Sequence, residues 1–196
     1  AYPKRFYSVG LNKEETMMYL YESGEGSGNN LFVRDLRVKD SQFVQMTSNM
    51  NNFHYPVNTE GDRIYIMTNN GAPKCRVMTA DIKNPGIKDW KELIGETSDV
   101  LNDVSVIGDK MILDYTKDAS SHVFVYNMDG SMAHEVKLPM VGSVSFSGEK
   151  GDKDCYYTFT SFTVPGTIYR YDIDKNSSTL YSKPDVKFDI NDYVSE

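Results

Sequence analysis

Residues 62–82 read DRIYIMTNNGAPKCRVMTADI, and this pattern of two short apolar runs occurs four times along the chain. In each copy an acidic residue opens the first run, and an Asp or Asn followed by an apolar residue closes the second. The opening residues are Glu15, Asp62, Asp109 and Asp154, with steps of 47, 47 and 45 residues. The closing pairs are Asp35-Leu36, Asp81-Ile82, Asn127-Met128 and Asp172-Ile173, with steps of 46, 46 and 45 residues. A shared period of this length, filled with short strands, is typical of β-propeller blades.

The four repeats occupy nearly the whole chain of 196 residues. Their first runs are apolar on both alternations, as in Ile64-Tyr65-Ile66-Met67, and a strand of this kind is covered on both faces. Blades stacked face to face meet this requirement. We therefore predict an all-β fold of four four-stranded antiparallel blades, which form an arc of a larger ring. The predicted blades are approximately residues 1–48, 49–95, 96–138 and 139–186.

The turns between the strands allow two further predictions. The recurrent acidic residue is expected to close a turn, where its carboxylate accepts backbone N–H groups two residues on. The loops at Gly24–Gly28 and Ala119–Ser121 are expected to be exposed.

Composition and charge argue against several partners. The formal net charge of −7 argues against nucleic acid, which requires a clustered basic surface. No run of about eighteen apolar residues is present, so no membrane span is expected. Cys75 and Cys155 stand outside any metal-ligand spacing, and we expect neither a disulfide nor a metal site. The start of the chain inside strand-like sequence indicates a piece of a longer protein, whose compartment, cytoplasm or periplasm, stays open.

No residue pattern predicts a complete active site. The stretch Gly142–Gly148 lacks the spacing of a Gly-x-Ser-x-Gly nucleophile turn. His54, His122 and His134 stand in three separate strand segments, and we interpret them as surface or blade-interface residues. The glycine-rich stretch Gly24–Gly28 follows a strand but opens no helix, so a flexible loop is favoured over a phosphate-binding loop. We predict no catalytic, cofactor-binding or metal-binding residue in this chain.

The last repeat carries the strings that resemble a known family. From Phe159 to Tyr169 the chain reads FTSFTVPGTIY, and Val-Gly-Ser-Val precedes it at residues 141–144. The run closely resembles the F-x-S-F-x-x-P-x-x-I-Y string near the end of the propeller domain in prolyl oligopeptidases. Residues 29–36, 68–77 and 84–91 resemble the same family. The resemblance covers essentially the whole chain, in order and without large gaps.

This resemblance implies a seven-bladed β-propeller that caps an α/β-hydrolase domain with a Ser-Asp-His triad. The chain would be the latter four blades. Residues 187–196 resemble the start of the segment that returns to the hydrolase domain, and the triad would lie outside the chain. The implied function is substrate gating in a serine-type prolyl oligopeptidase that cleaves short peptides after proline. Peptide substrates would then be partners only through the parent enzyme's hydrolase domain.

The resemblance also points to one loop. In some family members, the loop after the second strand of the corresponding blade carries an Arg and a Cys that face the substrate cavity. An ungapped comparison puts Glu22 and Glu25 at those positions. Exchange of a basic for an acidic residue would change which peptides are steered into the cavity. Glu22 and Glu25 are therefore the candidate cavity residues.

Two other functions stay open at this stage. One is a free-standing propeller that serves as a protein-interaction scaffold, and the other is the propeller of a sister oligopeptidase with basic-residue specificity. The blades lack the Trp-Asp endings and double glycines of common scaffold propellers, and Trp90 is the single tryptophan. A Gly-x-Ser-x-Gly downstream of Glu196 would distinguish an enzyme from a scaffold.

Four blades of a larger ring would leave two blade faces open. Apolar patches larger than a few hundred Å² usually find a partner, and we expect self-association that buries about 1,000 Å² or more. The contact residues are expected to be Met17, Tyr19 and Tyr21 in the first blade and Tyr156, Phe159 and Tyr169 in the last.

Overall fold

The computed structural model describes residues 4–185, which form sixteen strands in four antiparallel sheets of four strands each. The chain divides into two compact units, Ala1–Ser98 and Asp99–Glu196. Within the described residues the only helix is a 3₁₀ turn at Ile87–Asp89, which is far too short to span a membrane. The predicted return segment, residues 187–196, lies outside the described residues. The prediction of an all-β chain with four four-stranded antiparallel blades is confirmed.

The first unit contains two of these sheets. The strands of the first sheet are β1 (Phe6–Leu11), β2 (Met17–Ser23), β3 (Asn29–Asp35) and β4 (Val44–Gln45). The strands of the second sheet are β5 (His54–Glu60), β6 (Arg63–Thr68), β7 (Arg76–Asp81) and β8 (Lys91–Ile94). In both sheets the spatial order equals the chain order, so every connection joins neighbouring strands.

Apolar side chains from these two sheets form one core. Strand β6 contributes Ile64 and Ile66 to this core, while Tyr65 and Met67 on its opposite alternation are buried as well. The strand is therefore covered on both faces, as its sequence pattern predicts. The buried members of the core are Met17, Tyr19, Leu31, Val33, Met46, Ile64, Ile66, Met78, Ala80 and Trp90.

The second unit repeats this design. The strands of its first sheet are β9 (Val100–Ile107), β10 (Lys110–Lys117), β11 (Ser120–Asn127) and β12 (Met132–Val136). The strands of its second sheet are β13 (Ser143–Ser147), β14 (Asp154–Thr160), β15 (Thr167–Asp172) and β16 (Ser177–Ser182). The core is rich in aromatic rings, with Tyr157 packed against Phe146, Tyr169 and Tyr171 at centroid distances of 5.0 to 6.5 Å. Such ring pairs add to the stabilisation that comes from burial.

The two repeated landmarks of the sequence lie at, or within two residues of, paired positions across one hairpin. Arg63, which follows the opening Asp62, pairs with the closing Asp81 across β6 and β7. The corresponding pairs in the other sheets are Met17 with Asp35, Lys110 with Asn127 and Asp154 with Asp172. Both landmarks keep one period because they mark the open end of the same hairpin.

The acidic landmarks have two different roles. The closing Asp81 accepts the N–H of Lys83 at 2.8 Å, two residues on, as predicted. The opening Asp62 instead forms ion pairs with Arg37 at 2.7 Å and Lys83 at 2.6 Å. The pair with Arg37 joins the turns of the two sheets in the first unit, and the pair with Lys83 joins two turns of the second sheet. The turn-closing role predicted for the acidic residue holds for the closing position.

The predicted exposure of Ala119–Ser121 is only partly correct. The turn between β10 and β11 is Asp118–Ala119, and both residues have positive φ values of 47° and 59°. This left-handed pair is the conformation of a tight two-residue hairpin turn, which leaves no further loop residue. Ser120 is therefore the first residue of β11 and is buried, while Ala119 is exposed.

Most of the residues that were expected to be exposed on open blade faces are not exposed. Met17, Tyr19 and Phe159 are buried within their units, because they point into the two cores. Tyr21 and Tyr169 are half-buried, and Tyr156 on β14 is the one predicted residue that is exposed. The other exposed apolar residues on strands of the first and last sheets are Phe6, Tyr7, Val9 and Leu11 on β1, Val44 on β4, and Leu180 and Tyr181 on β16.

We still expect the 196-residue chain to self-associate, now through the β1 face. Val9 is 64% exposed, and Val9→Lys should shift the chain toward monomer, because a buried lysine would oppose the contact. Val38→Lys is the matched control, since Val38 is 56% exposed and lies in the turn after β3. Sedimentation velocity over a micromolar concentration series measures the effect. A concentration-independent monomer of the unmodified chain would contradict the expectation.

Candidate functional site

The carboxylate of Glu22 is the centre of a polar cluster on the first sheet. Glu22 lies opposite Tyr7 on β1 and Asn30 on β3, so one row across the sheet brings the three side chains together. Its Oε1 accepts a hydrogen bond from the Tyr7 hydroxyl at 2.8 Å and is paired with the Arg5 guanidinium. Its Oε2 accepts a hydrogen bond from Asn30 Nδ2 at 2.8 Å. Glu22 is only 5% exposed, so these donors replace water around the carboxylate.

These contacts keep Glu22 ionised. Hydrogen bonds from Asn30 and Arg5 lower the pKa of the Glu22 carboxyl below its usual value. The same carboxylate raises the pKa of the Tyr7 hydroxyl, because it accepts that proton in a hydrogen bond. An ionised carboxylate with all its donors in place orients Arg5 and Tyr7. It does not present an unpaired negative charge to a peptide.

Glu25, the second predicted cavity residue, is exposed in the loop between β2 and β3. Glu22 is thus buried in the polar cluster, whereas Glu25 is exposed. Sequence reasoning missed Arg5, Tyr7 and Asn30. The strand register across β1, β2 and β3 would have placed Tyr7 and Asn30 beside Glu22, but no local signal points to Arg5.

The glycine-rich loop that carries Glu25 is anchored at its C-terminal end. The Gly28 N–H donates to the carbonyl of Met50 at 2.8 Å, and Ser27 Oγ donates to the carbonyl of Asn51 at 3.2 Å. A Cβ on Gly28 would collide with the backbone carbonyl of Asn52. Glycine is required at this point because two backbone segments approach closely.

Asn29 joins the two sheets of the first unit below this loop. Its Oδ1 accepts the N–H of His54 at 2.9 Å, and its Nδ2 donates to the carbonyl of His54 at 3.2 Å. The amide side chain thus pairs with a backbone peptide as a second strand would. Because Asn29 directly precedes Asn30, the Glu22 cluster and the junction of the two sheets are rigidly connected.

His54 is a buried, neutral histidine of this junction. Its Nδ1 lies 2.9 Å from Thr68 Oγ1, and its ring meets Trp90 edge-on at 5.5 Å. The Thr68 hydroxyl donates to the Phe53 carbonyl and accepts the N–H of Asn70, so Nδ1–H of His54 is the donor in their contact. Burial lowers the pKa of His54 to about 4. The sequence left open whether His54 lies on the surface or at a blade interface. The structure places it, buried, where the two sheets of the first unit meet.

A second cluster of titratable groups lies in the second unit. Asp114 on β10 faces Asp103 on β9, and burial raises the pKa of the Asp114 carboxyl to about 6. Hydrogen bonds from Ser121 and Asn102 act in the opposite direction. His122 Nδ1 lies 4.0 Å from Glu135 Oε1 in the same sheet. The serine hydroxyls beside these groups, Ser121 and Ser105, hydrogen-bond to the Asp114 and Asp103 carboxylates.

The histidines of residues 4–185 have no serine or cysteine partner. His54 contacts Thr68, His122 lies near Glu135, and His134 Nε2 contacts the Tyr171 hydroxyl at 2.9 Å. Both cysteines are free and buried, and burial raises the pKa of the Cys155 thiol to about 12. No group of three or more metal-ligating side chains is found among the described residues.

Four-stranded antiparallel sheets with a period of 45 to 47 residues define a β-propeller segment. The family model described as "Prolyl oligopeptidase, N-terminal beta-propeller domain" matches residues 2–184. The chain therefore belongs to the prolyl oligopeptidase family of serine peptidases, in its N-terminal β-propeller domain.

Individual relatives agree with this assignment. The chain is 33% identical over 196 residues to the prolyl endopeptidase of Elizabethkingia meningoseptica, and the match covers 100% of this chain and 28% of that protein. It also resembles a structure from "Structural and Mechanistic Analysis of Two Prolyl Endopeptidases: Role of Inter-Domain Dynamics in Catalysis and Specificity". That match has a TM-score of 0.88 at 31% identity and covers 95% of this chain and 27% of the other. The closed form of Trypanosoma brucei oligopeptidase B has a TM-score of 0.82 at 17% identity, covers 98% of this chain and 29% of the other, and shows the shared fold alone.

The buried neutral state of His54 predicts a pH dependence of the first unit. The pKa is 6.5 for an unperturbed histidine and about 4 in the folded chain, so the unfolded chain binds the proton first as pH falls. The free energy of unfolding should therefore decrease between pH 6.5 and pH 4. His54→Asn, which keeps a donor for Thr68, should flatten this dependence. His122→Asn in the second unit is the control and should not change it.

Urea denaturation at pH 7.5 and pH 4.5, followed by the fluorescence of the single tryptophan, measures this effect. Trp90 contacts His54, so its emission reports on the first unit. An equal loss of stability in the unmodified chain and in His54→Asn would show that other groups cause the pH dependence.

Because two backbone segments approach closely at Gly28, we expect an added methyl group there to destabilise the first unit. Gly28→Ala should lower the free energy of unfolding of the first unit by about 1–3 kcal/mol, because the backbone at Asn52 must move. Gly86→Ala is the matched control. Nothing lies within 4 Å of a Cβ there, and Gly86 has φ −63°, so a change of at most about 1 kcal/mol is expected, toward greater stability. Urea denaturation of both variants tests this, and equal effects would refute the steric explanation.

Proposed function

We propose that this chain is the substrate-gating part of the propeller in a serine-type prolyl oligopeptidase that cleaves short peptides after proline. The observation that carries the proposal is the match of the propeller family model from residue 2 to residue 184. The 33% identity to a prolyl endopeptidase along the whole chain supports the prolyl branch. The chain spans 28% of that relative's length, so the catalytic groups would belong to the remaining part.

The packing of the two units supports a role as a wall. Each unit buries a continuous apolar core between its two sheets, and packed cores of this kind resist deformation. A rigid wall around a catalytic cavity admits chains that are thin and flexible, such as short peptides. It excludes folded proteins by size, without any chemistry of its own.

The loop between β2 and β3 would then modulate which peptides enter. Arg5 balances the charge of Glu22. The replacement of a basic by an acidic residue that we infer at this loop would therefore act through the exposed Glu25. An exposed carboxylate steers charged ligands at low ionic strength, and its influence falls within about 10 Å at 0.1 M salt. Glu25 would therefore affect the rate of entry of basic peptides more than their final affinity.

The two alternative functions have less support. The 17% identity to oligopeptidase B carries no argument for basic-residue specificity, since it shows the fold alone. A free-standing scaffold would need a binding surface that functions without a catalytic partner, and no observation on the described residues favours one.

The decisive experiment compares the full-length protein with the 196-residue chain. The full-length protein should hydrolyse a chromogenic Gly-Pro substrate, and a serine-directed inhibitor should abolish the turnover. The 196-residue chain should be inactive, because none of its described histidines contacts a serine or a cysteine. Activity of this chain alone that the inhibitor blocks, or an inactive full-length protein, would refute the proposal.

A second measurement tests gating itself. One proline-containing sequence is presented as a short peptide and as a surface loop of a folded protein. The full-length enzyme should cleave the peptide and leave the loop intact, whereas similar rates for both would show that the propeller does not filter by size.

A further inference from the structure

One asparagine of the chain directly precedes a glycine in an exposed turn. Asn70 and Gly71 lie in the loop between β6 and β7, and no other Asn-Gly pair occurs in the sequence. The carbonyl of Asn69 accepts the N–H of Ala72 at 3.1 Å, which closes a turn around the pair. Gly71 is exposed and has a φ of 66°, a conformation that glycine adopts without strain. The pair is therefore accessible to water in the folded chain.

An asparagine before a glycine can lose its side-chain amide without an enzyme. The backbone nitrogen of the glycine attacks the asparagine Cγ, the bond from Cγ to the side-chain nitrogen breaks, and ammonia leaves with the proton of the glycine N–H. The resulting succinimide ring takes up one water at either of its two carbonyl carbons and becomes aspartate or isoaspartate. Glycine favours ring closure because it places no side chain against the ring.

The Gly71 nitrogen is available as the nucleophile. Among the described residues, no acceptor pairs with its N–H. The neighbouring N–H groups are both bonded, since Asn70 N–H donates to Thr68 Oγ1 at 3.1 Å and Ala72 N–H donates to the carbonyl of Asn69. The proton of Gly71 can therefore leave without the loss of a hydrogen bond within the protein.

The guanidinium of Arg76 lies beside this nitrogen. Arg76 Nη2 donates to the carbonyl of Asn70 at 2.9 Å, and it would lie 3.4 Å from a Cβ on Gly71. The Asn70 carbonyl and the Gly71 nitrogen share one peptide group, so negative charge on the nitrogen is delocalised onto the carbonyl oxygen. A hydrogen bond from a cation to this oxygen favours the anionic form of the amide, which is the form that attacks.

The carbon under attack is also activated. Asn70 Oδ1 accepts a hydrogen bond from Asn52 Nδ2 at 3.1 Å. This oxygen gains negative charge when the ring closes, and a donor that is already in place stabilises the charge. The turn thus supplies a nucleophile, a cation beside it and a donor for the developing oxyanion.

Two similar positions lack these features. At Asn69 the attacking nitrogen would be that of Asn70, whose N–H is already in a hydrogen bond. Asp129 precedes Gly130, but the Gly130 N–H donates to a backbone carbonyl. Hydrogen bonds from Ser131 at 2.6 and 2.9 Å also lower the pKa of the Asp129 carboxyl, and an ionised carboxylate is a poor electrophile. Both positions are therefore internal controls.

We propose that Asn70 is a site of spontaneous deamidation in the folded protein, with water as the second reactant and Arg76 as the activating group. Because Arg76 contacts the backbone carbonyl of Asn70, water should add mainly at that carbon of the succinimide. Isoaspartate is then the main product, and the former carbonyl becomes a carboxylate beside the guanidinium. The isoaspartate linkage puts one more atom into the backbone of the turn, so the bond from Ala72 to Asn69 should be lost.

Peptide mapping of the full-length protein after incubation at pH 8 tests the proposal. Cleavage by trypsin after Arg63 and Lys74 releases residues 64–74, which contain both Asn69 and Asn70. Fragment masses should place the modification on Asn70, and an isoaspartate methyltransferase should label the modified peptide. Its rate of formation should rise with pH, because the amide anion is the attacking species.

Three variants separate activation by Arg76 from exposure alone. Asn70→Gln should abolish the reaction, because the longer side chain must close a less favoured six-membered ring. Arg76→Met should slow it about tenfold, since a hydrogen bond to a charged group is worth about that factor. Glu92→Gln is the matched control, because it removes the 2.8 Å ion pair between Arg76 and Glu92 and keeps the Arg76 donor on Asn70. Its rate should equal that of the unmodified protein.

The measurement on the unmodified protein does not depend on the folding of any variant. An Asn70 that stays intact in the folded protein and deamidates only in urea would overturn the proposal, as would equal modification of Asn69 and Asn70. An equal or faster rate in Arg76→Met would overturn the activating role of Arg76. None of these outcomes depends on peptidase activity, so the proposed function is tested separately.

Discussion

A sheet that is apolar on both faces cannot be stable with either face in water, and the second strands of the two middle sheets, β6 and β10, are of this kind. In β6, Ile64 and Ile66 point to one face and Tyr65 and Met67 to the other, and all four are buried. Exposure of one such side chain costs about 1.5–3 kcal/mol, so a few of them would exceed the whole stability of a small domain. Stacking of consecutive blades is the arrangement that covers both faces, and this requirement explains why the chain repeats one unit.

Repetition constrains the open ends of the central hairpins and leaves their closed ends free to differ. The open ends of the central hairpins are constrained, because strand pairing joins the closing landmark of each blade to the opening one or to a residue just after it. The closed ends are not, and they range from the two-residue turn Asp118–Ala119 to the longer loops 24–28 and 161–166. Function in repeat proteins concentrates in such loops. The proposed cavity residue Glu25 and the fully exposed Phe162 both lie at closed ends, in loops that hydrogen bonds anchor.

The sequence predicted the fold well because its evidence is local. A strand of six residues shows its own alternation, and four copies of it show their own period. The candidate site was predicted less well because its evidence is not local. Glu22 was found by comparison with a family, but its partner Arg5 stands 17 residues earlier and nothing in the sequence connects them. The glycines of the 24–28 loop indicated flexibility, whereas Gly28 is needed because the backbone at Asn52 passes against it.

The sequence by itself determined the strand pattern, the blade period and the membership of a peptidase propeller family, because alternation and spacing are properties of neighbouring residues. Only the tertiary structure decided which apolar residues are exposed and which polar ones are buried. Phe159 and Phe162 stand three residues apart in one motif, yet the first lies in the core and the second in solvent. The difference arises where β14 ends and the turn held by Ser161 reverses the chain. A side chain's direction beyond that point depends on contacts with other segments, which no local pattern encodes.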